Sequence, residues 1–406
     1  MIQRQRQCCL GVIGLTLAAL IIISATKRRT VFSAAAAPRR VALAITNPSD
    51  LAREDELVVL SAAEVKRYAP GFDAATFVVS EGAAERQLPS QADDLDGDGK
   101  ADEICFIVSL APQQTRRVAL VYGAGAPPRA DYPKRTQAKF SRKYEGLAWE
   151  SDVIGYRLYF DERNAIDVYG KHDRRLSLGK FAEDGYNYHG DSEWGRDVMK
   201  VGQSLGAGSF GLWKDGRLSK VAQVAERNWR LIADGPVRSI IELRAGGWNA
   251  GGVLFDLTAR FNAVAGQRWA KVEVALRGRT NGFALAAGVM KHAQVETLRD
   301  ERQGWLATWG QQVENAPGNL GLAVVVPPQR LAQFTEDPLN HLALLSLKDS
   351  GRLNYYIAAA WDAEQNPIAS AAQWKAYLSQ TAARLWQPVS VRFTGRAQES
   401  SGSTLE

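Results

Sequence analysis

The runs Val237-Arg238-Ser239-Ile240-Ile241-Glu242-Leu243-Arg244, Val253-Leu254-Phe255-Asp256-Leu257-Thr258-Ala259-Arg260-Phe261 and Ala270-Lys271-Val272-Glu273-Val274-Ala275-Leu276 decide the fold class. Each is a short apolar stretch of strand character. Further runs of this kind follow on both sides: Tyr156–Phe160, Ser209–Trp213, Lys220–Glu226, Phe283–Val289, Trp305–Trp309, Leu320–Val325, His341–Ser346 and Tyr355–Ala360. Several are apolar without clean alternation, as strands covered on both faces are. One helix is predicted, over Ala371–Arg384. Many strands with few helices predict a mainly β chain whose large domain, residues 140–397, is an antiparallel sandwich.

Upstream, Val41–Thr46, Glu56–Leu60, Thr76–Val79, Glu103–Leu110 and Arg117–Tyr122 read as strands between turns. They predict a small β-sandwich-like domain over 41–124. Gly123-Ala124-Gly125-Ala126-Pro127-Pro128 reads as a linker. Residues 398–406, with Ser400-Ser401-Gly402-Ser403-Thr404, read as a disordered tail.

The chain has 406 residues, 46% of them apolar, enough for a large core. Its charge of +6 is a terminal effect. Residues 1–40 carry seven basic side chains and no acid, leaving 43 bases against 44 acids beyond them. The body therefore lacks a basic footprint for nucleic acid. Arg4 and Arg6 precede the apolar run Cys8–Ala25, the layout of an export signal. Residues 1–37 are read as a signal peptide, with an uncleaved inner-membrane anchor as the alternative. The expected location is periplasmic or secreted. Any membrane attachment is expected only through residues 8–25. Beyond this segment Cys105 stands alone in Ile104-Cys105-Phe106, a buried structural thiol rather than a nucleophile.

Asp94-Leu95-Asp96-Gly97-Asp98-Gly99-Lys100-Ala101-Asp102 places carboxylates at alternate positions of a tight turn. Asp94, Asp96 and Asp98, with the Lys100 carbonyl and with Asp102 or Glu103 closing the shell, form a candidate structural Ca2+ loop. The alternative is an Asp/Gly turn without metal. No organic cofactor is expected, because no phosphate-binding glycine motif is present.

Tyr186-Asn187-Tyr188-His189-Gly190-Asp191-Ser192-Glu193-Trp194-Gly195-Arg196-Asp197-Val198-Met199-Lys200 crowds aromatic, acidic, basic and imidazole groups into a Gly-rich segment. Such loops commonly bind ligands. Lys291-His292, at a strand end, offers a second imidazole beside a cation. Trp361 at another strand end, and Tyr156 with Arg157 in Gly155-Tyr156-Arg157-Leu158-Tyr159, complete the candidates. Arg157 in mid-strand needs an anion, either a structural acid or a substrate carboxylate. Serine-hydrolase and zinc-protease motifs are absent.

Pro48–Val58, the Asp93–Glu103 run, Trp149–Asp167, Trp194–Trp213 and Tyr355–Trp361 together resemble the DUF4861 family over roughly 41–395. The resemblance implies an exported component of polysaccharide degradation, often of uronate-containing glycans. It also implies a large domain similar to the β-supersandwich of galactose mutarotases. On that footing the expected activity is β-elimination or dehydration of uronate oligosaccharides. Arg157, Lys200 or Lys291 would neutralise the carboxylate. His189 or His292 would be the base and Tyr188 the proton donor. Trp194, Asp197, Trp361 and Tyr156 would hold sugar. The alternatives are a non-catalytic glycan-binding protein, a sugar epimerase or mutarotase, or a glycoside hydrolase pairing Glu150 or Asp152 with Asp197.

Overall fold

The computed structural model describes residues 37–82, 84–183, 185–312, 318–347, 351–396 and 398–399. The predicted signal segment therefore lies outside the described residues, apart from residue 37, as does most of the predicted tail. No helix among the described residues is long and apolar enough to cross a membrane.

The chain is mainly β. All strand pairings among the described residues are antiparallel, apart from an isolated parallel bridge between Ile166 and Gly206. At the centre is an eight-stranded sheet that includes Arg238–Ala250, Val253–Val264, Trp269–Arg277 and Arg352–Trp361. The Trp269–Arg277 strand shows how it works. Ala270, Val272, Val274 and Leu276 point into the core, whereas Lys271 and Glu273 stay half-exposed on the opposite face.

The inner face packs on two five-stranded sheets. One contains Gly146–Ser151, Gly155–Tyr159, Ile166–Lys171 and Gly195–Asp197; the other contains Ala207–Lys214 and Ala284–Met290. Trp149, Phe210, Trp248, Phe261, Leu322 and Tyr355 are fully buried in the shared core. The outer face carries the helix Ala371–Trp386, which inserts Trp374, Leu378 and Ala382. Its start is capped by the Ser370 hydroxyl, which accepts from the Gln373 amide at 3.2 Å.

The N-terminal sandwich has its own core of Val41, Leu43, Val58, Phe106 and Leu120 between a three-stranded and a six-stranded sheet. The strand Ser390–Phe393 crosses back to pair with Leu43–Thr46. The sandwich sheet is thus completed by residues from the 140–397 stretch.

Most predicted strands lie within two residues of those observed. Val237–Arg244 is observed to run on to Ala250, and Lys220–Glu226 is not one strand, since Arg217–Lys220 and Glu226–Asp234 are separate strands. The Arg227 guanidinium binds the Val221 carbonyl and the Asp161 carbonyl, so a ladder partner is replaced by a side chain. Helix Ala62–Tyr68 and strands Gly146–Ser151, Ile166–Lys171, Val295–Asp300 and Leu331–Glu336 were not foreseen. Cys105 is fully buried, and that burial pushes its thiol well up in pKa.

Candidate functional site

Arg157 and Asp167 face each other across adjacent strands, Gly155–Tyr159 and Ile166–Lys171. Side chains opposite each other in such a pair lie on one face. The Arg157 Nη2 donates to Asp167 Oδ2 at 3.0 Å, with both residues buried. The guanidinium is also flanked by the Tyr159 and Tyr188 rings, at 4.2 and 4.5 Å from their centroids. Gly146, opposite Tyr159 in the next strand, makes room for this arrangement: a Cβ there would lie 2.9 Å from Arg157 Cγ. Tyr188 OH donates to Asp167 Oδ2 at 3.2 Å, and the Val168 amide donates to Oδ1 at 2.9 Å.

A third strand, Gly195–Asp197, brings in the next carboxylate. Its register sets Gly195 against Lys171 and Asp197 against Tyr169. Gly195 has φ of +142°, and a Cβ there would lie 2.0 Å from the Gly170 carbonyl oxygen. Only glycine fits this close approach. Asp197 thereby comes close enough to Asp167 for the two carboxyl groups to influence each other electrostatically. Its Oδ1 accepts from the Met199 amide at 3.1 Å, and its Oδ2 lies 2.7 Å from His189 Nδ1.

The result is a line of groups running from the core to the surface: Arg157, Asp167, Asp197, His189. Asp167 is fully buried, whereas the His189 side chain is 65% exposed. His189 opens on a cavity of about 400 Å³, which is also lined by Tyr159, Arg163, Arg196, Asp197 and Lys200. With Nδ1 donating to Asp197, Nε2 of His189 is left as the accepting nitrogen.

The electrostatics follow from burial. Desolvation first, and then the neighbouring Asp197 charge, push the Asp167 carboxyl far above the usual range, against the pull of Arg157. Desolvation also raises Asp197, opposed by the Met199 amide and by Arg157. Two buried carboxyls that interact this strongly cannot readily both ionise. The pair therefore retains a proton at pH values where an ordinary Asp is ionised. Infrared spectroscopy at neutral pH should show a protonated-carboxyl stretch that disappears in Asp167→Asn; its absence in the wild type would contradict the shared proton.

The stability consequence has a definite sign. A carboxyl raised in the folded state binds more protons folded than unfolded. Its contribution thus favours the fold at low pH, and stability falls as pH rises above the unfolded value of about 3.9. Asp167→Asn should flatten that fall, as read by denaturant titrations across pH.

The predicted residues divide. His189, Asp197 and Lys200 line one cavity, with Arg157 and Tyr188 directly behind it. The others lie elsewhere or are otherwise engaged. Arg157 is only 3% exposed and committed to Asp167, so its anion is the structural acid and not a substrate. Tyr188 is 1% exposed and bonded to the same carboxylate, so it cannot reach a ligand. Tyr156 is buried and donates to the Arg268 carbonyl at 2.6 Å. Trp361 is a core residue packed beneath Gly170, where a Cβ would lie 2.5 Å from its ring. Neither Tyr156 nor Trp361 can floor a sugar subsite. Trp194 lies outside the cavity lining, its ring covered by Arg175 at 3.8 Å and Lys180 at 4.8 Å. Lys291 pairs with Glu336 at 3.1 Å, and His292 accepts from the Gln294 amide. Neither lines the His189 cavity.

The hydrolase pairing does not assemble. Glu150 is fully buried, 2.8 Å from Lys171 Nζ and bonded to the Ser177 and Leu178 amides. Asp152 is held by Arg135, Arg174 and the Gly266 amide.

Of the Asp-rich loop, Asp94, Asp96 and Asp102 converge, with carboxylate oxygens within 4.8 Å of one another. Amides of Gly97 and Gly99 hold the Asp94 carboxyl below its usual pKa. Asp98 turns away, accepting from the Lys100 amide and lying 3.6 Å from its ammonium. Arg230 and Arg260 anchor the loop by donating to the Asp96 and Leu95 carbonyls.

Tyr159, Arg163, Arg196 and Asp167 were not foreseen as site residues. For Asp167 a signal existed. The turn Asp161-Glu162-Arg163-Asn164, centred near residue 162, sets residue 167 opposite the buried Arg157 that required an acid.

The chain belongs to the family described as "Domain of unknown function (DUF4861)", which it matches over residues 45–391. It is 24% identical over 375 residues to "Uncharacterized protein P7" of Formosa agariphila, covering 86% of this chain and 92% of that protein. Among solved structures it is similar to an alpha-mannosidase from Enterococcus faecalis, with a TM-score of 0.47 and 10% identity over 89% of this chain. A second similar structure is a glycosyl hydrolase family 38 protein from the same organism, with a TM-score of 0.48 and 9% identity. The chain spans about half the length of these two, 46% and 48%.

Proposed function

We propose that this protein is a carbohydrate-active enzyme that eliminates a leaving group from uronate-containing oligosaccharides. The observation that carries the reading is the Asp167–Asp197–His189 line ending at a cavity bordered by Arg163, Arg196 and Lys200. Elimination beside a carboxylate needs a base for the α-proton and cations to hold the charge that develops on the carboxylate. His189 Nε2 is the base, and Asp197 orients the ring and stabilises the imidazolium. Arg196 and Lys200 face the carboxylate. The Arg196 Nε is buried with no hydrogen-bond partner among the described residues, a donor that an anion would satisfy. Arg163 is already paired with Asp161 and contributes less.

The bond changes balance without a redox partner. The C–H bond α to the carboxylate breaks and its proton goes to His189. The adjacent C–O bond breaks, a C=C bond forms, and the leaving oxygen takes a proton. Tyr159 replaces Tyr188 as donor, because it lines the cavity and burial raises its pKa to about 12, keeping it protonated. Product analysis on saturated and unsaturated uronate oligosaccharides tests this reading. A new conjugated ultraviolet band, or loss of water by mass, is expected. Binding with no change of mass would instead favour a glycan-binding protein or an epimerase.

The Asp94–Asp102 loop is proposed to hold a structural Ca2+ on Asp94, Asp96 and Asp102, with further oxygens from backbone and water. Calcium at a hundredfold excess over its Kd should add about 2.7 kcal/mol of stability. Thermal melts with and without chelator should show that gain, and Asp96→Ala should abolish it. Melts insensitive to millimolar Ca2+ would reject the site.

A further inference from the structure

We infer that the cleft between the N-terminal sandwich and the outer face of the eight-stranded sheet is a second binding site, for a neutral, hydroxyl-rich oligosaccharide. The cleft is a cavity of about 360 Å³ and does not share residues with the His189 cavity. That volume lies within the range of small-molecule sites.

Its floor is set by strand register. Asn262, Lys271 and Tyr356 are direct partners across three strands, and Arg260 faces Glu273 in the adjacent row. Side chains opposite one another share a face. These groups therefore form a polar grid on the side of the sheet away from the core. Lys271 Nζ lies 2.6 Å from Glu273 Oε1, and both side chains remain more than a third exposed. A half-exposed ammonium–carboxylate pair matches a vicinal diol, one hydroxyl donating to the carboxylate and the other accepting from the ammonium. Trp269 meets Tyr356 edge-to-face at 5.4 Å, so rigid apolar surface borders the grid. Aromatic faces and edges of this kind pack on the C–H surfaces of sugars. Opposite the floor, Leu57 and the 39%-exposed Val59 belong to the N-terminal sandwich.

Charge distinguishes the ligand class from that of the first site. Five cationic and five acidic side chains line the cleft, so no net field favours an anion. The cavity at His189 is instead net positive, with three cations around one acid. The two sites together fit a mixed glycan, with a neutral stretch held in the cleft and a uronate at His189.

The test is calorimetry and saturation-transfer NMR on the full chain with cellotetraose, xylotetraose and mannotetraose. Saturable binding of at least one is expected. Glu273→Gln and Lys271→Met should each weaken it about tenfold or more, while His189→Ala leaves it unchanged. Both substituted side chains are partly exposed, and circular dichroism confirms their folding. The inference is overturned by binding to none of the three, by cleft variants that bind as the wild type does, or by loss of binding in His189→Ala. Because His189→Ala is carried alongside, failure of the cleft and failure of the elimination reading are separable.

Discussion

His189→Ala is expected to lower kcat/KM on uronate oligosaccharides by about 10²–10⁴-fold, the usual contribution of a positioned general base. The loss should fall on kcat, because the cations that hold the carboxylate remain in place. His292→Ala should retain turnover, since that ring does not line the cavity. Asp197→Asn gives an independent check. Its amide can still touch Nδ1, 2.7 Å away in the wild type, but it cannot stabilise an imidazolium as a carboxylate does. A drop of comparable order is expected there, with substrate binding preserved. Full turnover in both His189→Ala and Asp197→Asn would remove the proton-transfer line from the mechanism.

Arg157→Ala is expected to cost about 3–5 kcal/mol of folding stability, the usual result of removing one partner of a buried pair. Asp167 would be left without its guanidinium, and the stacks on Tyr159 and Tyr188 would be emptied. Chemical denaturation reads the loss directly. The same variant with Asp167→Asn should recover part of it at pH values high enough to ionise the orphaned carboxyl, because a neutral amide is cheaper to bury than an unpaired carboxylate. If Arg157→Ala cost no more than an ordinary surface substitution, within about 0.5 kcal/mol, the buried pair would not organise this part of the sheet.

Much of the fold was legible because strand periodicity is a local property. In Ala270–Leu276, Val272, Val274 and Leu276 alternate with Lys271, Glu273 and Ala275, and the burial of the strand follows that alternation. Gly146–Ser151 is buried at every position, so its sequence Gly-Leu-Ala-Trp-Glu-Ser shows neither alternation nor strong β propensity. Tertiary cover made it a strand. The site was half legible for a related reason. His189, Asp197 and Lys200 lie close together in one irregular segment, so local crowding pointed to them. Asp167 and Tyr159 join them only through cross-strand register, a long-range fact. Burial is the property that residue type alone does not carry. Tyr156, Tyr188 and Trp361 have the residue types of a sugar site but are used as core, where an aromatic buries large apolar area. Sequence does not distinguish the two uses when every strand of a sheet is covered on both faces.

The measurement that bears most directly on the central claim is proton exchange at the carbon α to the uronate carboxylate, followed by NMR in deuterated buffer. The wild type is expected to consume that C–H signal, by exchange or by elimination, and His189→Ala is expected to leave it intact. A signal untouched by the wild type, or lost equally in His189→Ala, would contradict His189 as the base.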